Sequence, residues 1–349
     1  RERQNYRDGV ISQMAQTEVG QQSIMGPYLQ VPYQKTSLVE QKDSKTGRIS
    51  TVKQTDNGHL VFLPDTLTMQ GDMTQDNNHK LGIYKARFYD AKTQMGGAFK
   101  IPAHYGMQNT EREQFTFGAP VLMLGIKDVR GIGERPTIQV QGKNLLVEAG
   151  TFTHQTTQAS YQAPTQTADA TRAYDETVAT EVVAVASTDK PKPSILSYGV
   201  HAITPIIGSA AEQLVPFKID FTLRGMEDLN FTPLGQTVSL TLNNQDGAIP
   251  NFSLGQSLPK YQADDKGFSA KWQTTALSSN IDAAFNDCYA NSRCNELEQK
   301  TMGVRLVEPV DTYLQADRAL KYGFLFIVIT FVAFFLFEVL KRLAIHPVQ

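Results

Sequence analysis

From Tyr322 to Leu340 the sequence reads YGFLFIVITFVAFFLFEVL, with Glu338 as its only charge. As a helix rising ~1.5 Å per residue, these roughly 19 residues would cover about 28 Å, the thickness of a bilayer's hydrocarbon core. A buried helix of a soluble core is the competing reading, but such helices seldom stay apolar on every face for so long. The spacing therefore predicts a transmembrane helix over 322–340. Glu338 lies less than one turn before Lys341 and Arg342, within i,i+4 reach of Arg342, which favours a headgroup-level pair over an intramembrane proton path. Lys341 and Arg342 follow the span, while the upstream flank mixes Asp317, Arg318 and Lys321. The positive-inside rule then makes 341–349 the start of a cytoplasmic loop and leaves everything before Tyr322 outside the cytoplasm. Lys321, Tyr322, Lys341 and Arg342 are the expected membrane-anchoring residues, in contact with lipid.

The remaining chain is globular in composition. Over 349 residues, 41% are hydrophobic and 19% charged, enough to bury one large core or two ordinary ones. A net charge of −2 with both signs interspersed argues against a phosphate-neutralising surface, so no nucleic-acid partner is expected. The sequence starts at Arg1 without the pattern of a cleaved signal peptide, and an export signal or membrane helix is expected to precede it. Cys288 and Cys294, in NDCYANSRCNEL, are the only two cysteines and have no nearby histidine to complete a zinc site. A small disulfide loop in an oxidising compartment fits them best, and two unpaired thiols on one helix are the alternative.

Between the ends the pattern is that of strands. Val215, Phe217, Ile219, Phe221 and Leu223 alternate with Pro216, Lys218, Asp220, Thr222 and Arg224, and Val238, Leu240 and Leu242 repeat the period. Shorter runs occur at 60–63, 82–89, 121–126, 138–140, 145–147 and 268–272, punctuated by Gly, Asn, Asp and Pro. The fold class expected is mainly β, an antiparallel β-sandwich-type extracytoplasmic region flanked by an N-terminal helix and the C-terminal transmembrane helix. The N-terminal helix is read from Tyr6, Val10, Ile11 and Met14, an apolar stripe that stops by Gly20. A Thr/Ala/Gln-rich stretch has little apolar surface to set against its ordering entropy and reads as an insertion or linker. The expected organisation is thus a juxtamembrane helix at 1–20, β-rich regions at 21–150 and 196–308 separated by the insertion at 151–195, a stem helix at 309–321 and the span. Whether the β-rich regions make one domain or two stays open, although so long a structureless segment favours a boundary.

Chemistry is sparsely encoded. No G-x-S-x-G, H-E-x-x-H, Walker A or complete G-x-G-x-x-G motif is present, so no catalytic, cofactor-binding or metal-binding residue is assigned and no cofactor is expected. His59, His79, His104, His154, His201 and His346 are scattered without ligand spacing. Asp65, Asp72 and Asp128 could supply the paired carboxylates of a glycan hydrolase, but each lies near Gly or Pro, where turn-forming aspartates are commoner. The sequons at Asn230 and Asn251 have weight only in a eukaryotic secretory protein.

The stretch VEPVDTYLQADRALKYGFLFIVITFVAFFLFEVLKRLAIHPVQ closely resembles the block leading into the transmembrane bundle of the CreD family, inner-membrane proteins of Gram-negative bacteria. RERQNYRDGV, GPYLQVPY, FLPDTL, LGIYKARF, LGIKDVRGI, GVHAI and LRGMEDLNFTPLG resemble the family as well. The resemblance weakens in the Thr-rich segment and after Leu242, where NNQDGAIPNFSLGQSLP replaces an SDWPHPSF-like stretch. It implies a membrane helix before Arg1, a large periplasmic domain and further helices after Gln349. It also implies control by an envelope-linked two-component system and effects on envelope integrity and on β-lactam or colicin response, but no catalytic residue. Two function classes follow. In the favoured one, a non-enzymatic inner-membrane protein uses its periplasmic β-domain to bind a protein partner or an envelope polymer. In the other, an envelope enzyme or transporter component keeps its active groups partly in an adjoining transmembrane bundle. Oligomeric state is left open.

Overall fold

The structure, a computed structural model, describes residues 2–42, 49–76, 80–81, 84–85, 87–150, 196, 198–205, 207, 210–252, 257–307 and 312–341. The first half runs α1 (Glu2–Thr17), β1 (Gln22–Lys42), β2 (Ile49–Phe62), β3 (Pro64–Asp76), β4 (Lys80–Leu81), β5 (Tyr84–Lys85), β6 (Phe88–Ile101), β7 (Glu113–Phe117), β8 (Val121–Ile126), β9 (Thr137–Val140), β10 (Lys143–Leu145) and β11 (Val147–Ala149). The second continues with β12 (Gly199–Ile203), β13 (Gln213–Met226), β14 (Asp228–Thr232), β15 (Thr237–Asn244), β16 (Ile249–Asn251), β17 (Lys260–Asp264) and β18 (Gly267–Thr275). It ends with α2 (Ala276–Ser279), α3 (Ile281–Asn291), α4 (Asn295–Gln299), β19 (Met302–Val307) and α5 (Thr312–Lys341). Two compact units result, residues 1–306 and 307–349.

Unit 1 holds two large sheets. In the nine-stranded sheet the order is β11-β12-β8-β1-β14-β19-β16, with β2 and β7 also on β1. The eight-stranded sheet runs β10-β9-β13-β6-β3-β15-β18-β17. The alternation read from the sequence is what buries one face of the second sheet: Val215, Ile219 and Leu223 of β13 and Val238, Leu240 and Leu242 of β15 are buried. They share one cluster with Ile24, Leu29, Leu122, Leu124 and Phe231 of the first sheet. Such a shared apolar layer is the main term holding two sheets together, at about 25 cal/mol per Å² buried.

Two features differ from the expectation of purely antiparallel sheets. β1 pairs with β14 and β3 with β15 in parallel, so strands from before and after the Thr-rich segment are hydrogen-bonded into the same two sheets. Parallel neighbours need a long crossover, and here most of the domain serves as that connection. A boundary at 151–195 therefore does not separate the sheets. The segment itself, like residues 82–83 and 86 of the expected strand at 82–89, lies outside the described residues.

Helices cover the outside of unit 1. Met25, Tyr28, Val121 and Met123 point away from the inter-sheet core and pack with Ile281, Phe285 and Leu297 of the α3–α4 layer. The edge-on contact of Tyr28 with Phe285, 5.3 Å between ring centroids, belongs to that layer. At the other end, Val10 and Met14 of α1 pack with Val19, Phe88 and Met226, as the apolar stripe predicts. Unit 2 contains α5, 30 residues of uninterrupted helix in which the stem and the span expected from the sequence are continuous.

Candidate functional site

At one end of the eight-stranded sheet, three chain segments lock together around an open groove of about 490 Å³. Asn243 and Asn244 end β15, and Gln245–Gly247 turn away from it. Asn244 is buried and its side chain makes three hydrogen bonds. Nδ2 donates to the Met73 carbonyl at 2.9 Å, and Oδ1 accepts from the N–H groups of Asp246 at 3.1 Å and Ala248 at 3.2 Å. The Gln75 N–H donates to the Asp246 carboxylate at 2.8 Å, and the Gly247 N–H to the Lys266 carbonyl at 2.8 Å. The β17–β18 turn is held by Asp264, whose carboxylate accepts from the N–H groups of Lys266 and Gly267 at 2.8 and 3.1 Å. Gly267 has φ +145°, and a Cβ there would run into the Asn244 carbonyl. Only glycine fits that close approach.

Across the groove floor, Asn243 is fixed at both ends of its amide. Its Nδ2 donates to Asp72 at 2.9 Å and its Oδ1 accepts from the Ser269 hydroxyl at 2.8 Å. Gln245, Gln262 and Lys266 are exposed around it, and their side chains have no partner among the described residues. The groove thus offers a rigid amide and hydroxyl floor with donors and acceptors free at the rim.

A second polar cluster ties α1 to the sheets. Arg130 donates to the Gln16 and Ala15 carbonyls at the end of α1, at 2.7 and 2.9 Å, and to both oxygens of Asp128 at 2.9 and 2.6 Å. Asp128 also accepts from the Gly20 N–H at 3.1 Å. Burial alone would raise the Asp128 carboxyl, but the hydrogen bonds from Arg130 and Gly20 outweigh it and hold it below the usual carboxylate range. Gln22 extends the link, its Nε2 donating to the Asp128 and Arg224 carbonyls at 2.9 and 2.8 Å. Nearby, buried Asp228 receives a two-pronged Arg305 at 2.6 and 2.7 Å, and the Tyr89 hydroxyl donates to the Asp228 carbonyl at 2.7 Å.

The sequence-derived candidates are placed as follows. Cys288 on α3 and Cys294 at the start of α4 are joined in a disulfide, and both are buried in the helical layer. Lys321 and Tyr322 are exposed on α5, Lys341 ends that helix, and Arg342 lies outside the described residues. Among the described residues no helix is long and apolar enough to cross a membrane, so the span expected over 322–340 is not found there. The three aspartates do not converge. Asp65 and Asp72 sit on β3 seven residues apart, about 24 Å along a strand. Asp128 is in the Arg130 cluster. Asp65 and Asp72 are therefore too far apart to flank one glycosidic bond, as a hydrolase pair must. His201 is buried, its Nδ1 2.8 Å from the Gly150 carbonyl and its Nε2 3.5 Å from Glu148. His59 and His104 stand apart from it on β2 and in a turn, and His79, His154 and His346 lie outside the described residues. Among the described residues no three His, Cys, Asp or Glu side chains gather as a metal site. The groove itself was not anticipated, and the only sequence signal for it was the amide-rich NNQDG run.

The family model described as inner membrane protein CreD matches residues 1–349. The chain is 26% identical over 350 positions to the inner membrane protein CreD of Escherichia coli K12, an alignment covering 100% of this chain and 65% of that protein. The chain therefore spans about two thirds of that relative's length. Among solved structures, it is similar to a putative nutrient binding protein from Legionella pneumophila at 8% identity, over 70% of this chain and 67% of that one. With a TM-score of 0.28, that likeness bears no weight.

Proposed function

The chain belongs to the CreD family of inner membrane proteins, and from that premise we propose that unit 1 is a periplasmic β-sandwich that binds an envelope component or protein partner, held at the membrane by α5. The observation that supports this reading best is the surface of α5. Phe324, Phe331 and Phe335 on one face, and Phe326 and Leu340 on the opposite one, are each at least 66% exposed. Left in water, each such side chain forgoes roughly 1.5–3 kcal/mol of burial, a deficit that lipid removes. Lys321 and Tyr322 at one end and Lys341 at the other suit headgroup level. The Cys288–Cys294 disulfide suits an oxidising compartment. A role in envelope integrity, and in β-lactam or colicin response, belongs to the same reading.

The test is a topology fusion. A reporter active only in the periplasm, fused before Asp311, is expected to be active in the full-length protein. Activity of a cytoplasm-only reporter at that junction would overturn the proposal.

A further inference from the structure

Three free rim groups over a rigid polar floor form an arrangement that a mere hairpin end does not need. Asn244 is spent on holding the turns together, but Asn243 and Ser269, both in the lining, keep capacity to spare: one amide hydrogen, and lone pairs on both oxygens, are left by the bonds they make. Gln245 and Gln262 bring two whole amides, able to donate and accept side by side. Lys266, the one cation of the lining, is offset by Asp264 two residues away, and the Asp72 and Asp246 carboxylates stand beside the groove, so nothing there attracts an anion. Ala263 and Phe268 are the apolar side chains of its lining, and with Phe268 buried only the small Ala263 offers an exposed apolar contact, too little to fill a subsite for a large peptide side chain or a lipid tail. Its volume of about 490 Å³ falls in the ordinary range for small-ligand sites.

We propose that this groove is a binding site for a neutral saccharide chain bearing hydroxyl and acetamido groups. The inference rests on the reading of unit 1 as a periplasmic binding domain and names the class of ligand. Vicinal hydroxyls meet the amide edges of Gln245 and Gln262, which can donate to one oxygen and accept from the next. An acetamido group meets the Asn243–Ser269 floor, donating its N–H and accepting at its carbonyl. Because the floor is fixed by its own hydrogen bonds before any ligand arrives, little ordering opposes binding there.

The experiment titrates the purified full chain in detergent with the tetramer of N-acetylglucosamine, and in parallel with inorganic phosphate and with tetra-alanine. The wild type is expected to bind the saccharide alone. Gln245→Ala/Gln262→Ala is expected to weaken binding at least tenfold at an unchanged melting temperature, since both residues are exposed. Lys266→Ala is expected to leave saccharide binding within twofold. Binding of phosphate or peptide in place of the saccharide, no binding of any probe, or saccharide binding indifferent to the double substitution each overturns the proposal. None of these results bears on topology, so a failed titration beside a periplasmic reporter at Asp311 would remove the saccharide and leave the periplasmic domain standing.

Discussion

Arg130 closes the end of α1 while pairing with Asp128, so one side chain joins a helix terminus to a turn more than a hundred residues away in sequence. A cation at a helix C-terminus also meets the negative end of the helix dipole. Part of this was legible beforehand: Asp128 reads as a turn residue, and it does accept from the Arg130 N–H at 3.2 Å. The contact with α1 was not, because nothing in a local pattern tells an exposed arginine which distant carbonyls it will reach. Arg130→Ala is expected to cost about 1 kcal/mol, as for a half-exposed pair. A nitroxide at Gln13, on the exposed side of α1, should become more mobile in that variant. The pH dependence follows from the depressed Asp128 carboxyl. Its stabilisation is complete above the unfolded value of about 4 and is lost as pH falls through the lower folded value. The label in the otherwise wild-type protein should therefore loosen on acidification below about pH 4. In Asp128→Asn it should already be loose at neutral pH, with a flatter response. Equal mobility in all variants at every pH would show that α1 is held by its apolar stripe alone.

At the scale of elements, the sequence placed the strands well wherever alternation survives, as in β13, β15 and β18. It missed the full length of β1 and β2, whose paired outer stretches Thr36 to Glu40 and Thr51 to Thr55 are mostly exposed and carry no core-facing period. It also placed the cysteines on one helix or in a small loop; they span the end of α3 and the start of α4, with Ser292 in the left-handed region between them. Closing a loop of this size removes roughly 2 kcal/mol of unfolded-state entropy in the chain-entropy model. Cys288→Ser/Cys294→Ser should lower the stability of unit 1 by about that amount. Non-reducing mass mapping of the wild type should recover the pair joined. Two freely alkylated thiols in native protein would contradict the structure. In α5, Ala319→Pro removes a backbone hydrogen bond and crowds the preceding turn, a local cost of ~3 kcal/mol or more. Hydrogen exchange should speed up around residues 315–322 while the melting temperature of unit 1 stays unchanged, with Ala319→Ser silent in both. A matching fall in that melting temperature would mean that units 1 and 2 do not fold independently.

For the molecule as a whole, the β class was readable, since it depends on a period; the span expected over 322–340 falls on α5, but among the described residues no helix is long and apolar enough to cross a membrane. The interleaving of the two β-rich regions was not readable, because parallel pairing of β1 with β14 and of β3 with β15 depends on contacts between residues more than a hundred and seventy positions apart. The groove was hidden for a related reason. It is built where the resemblance weakens, from a turn that acquires meaning only when β3 and the β17–β18 turn are brought to it. The central claim is that the sheets stand outside the cytoplasm with α5 in the bilayer. Leu277, the most exposed large apolar side chain among the described residues, offers the most direct probe, because those residues contain no free thiol to compete with a cysteine placed there. In intact cells with a permeabilised outer membrane, the full-length Leu277→Cys protein should react with a membrane-impermeant maleimide as fully as it does after lysis. Labelling that appears only once the inner membrane is broken would contradict the account.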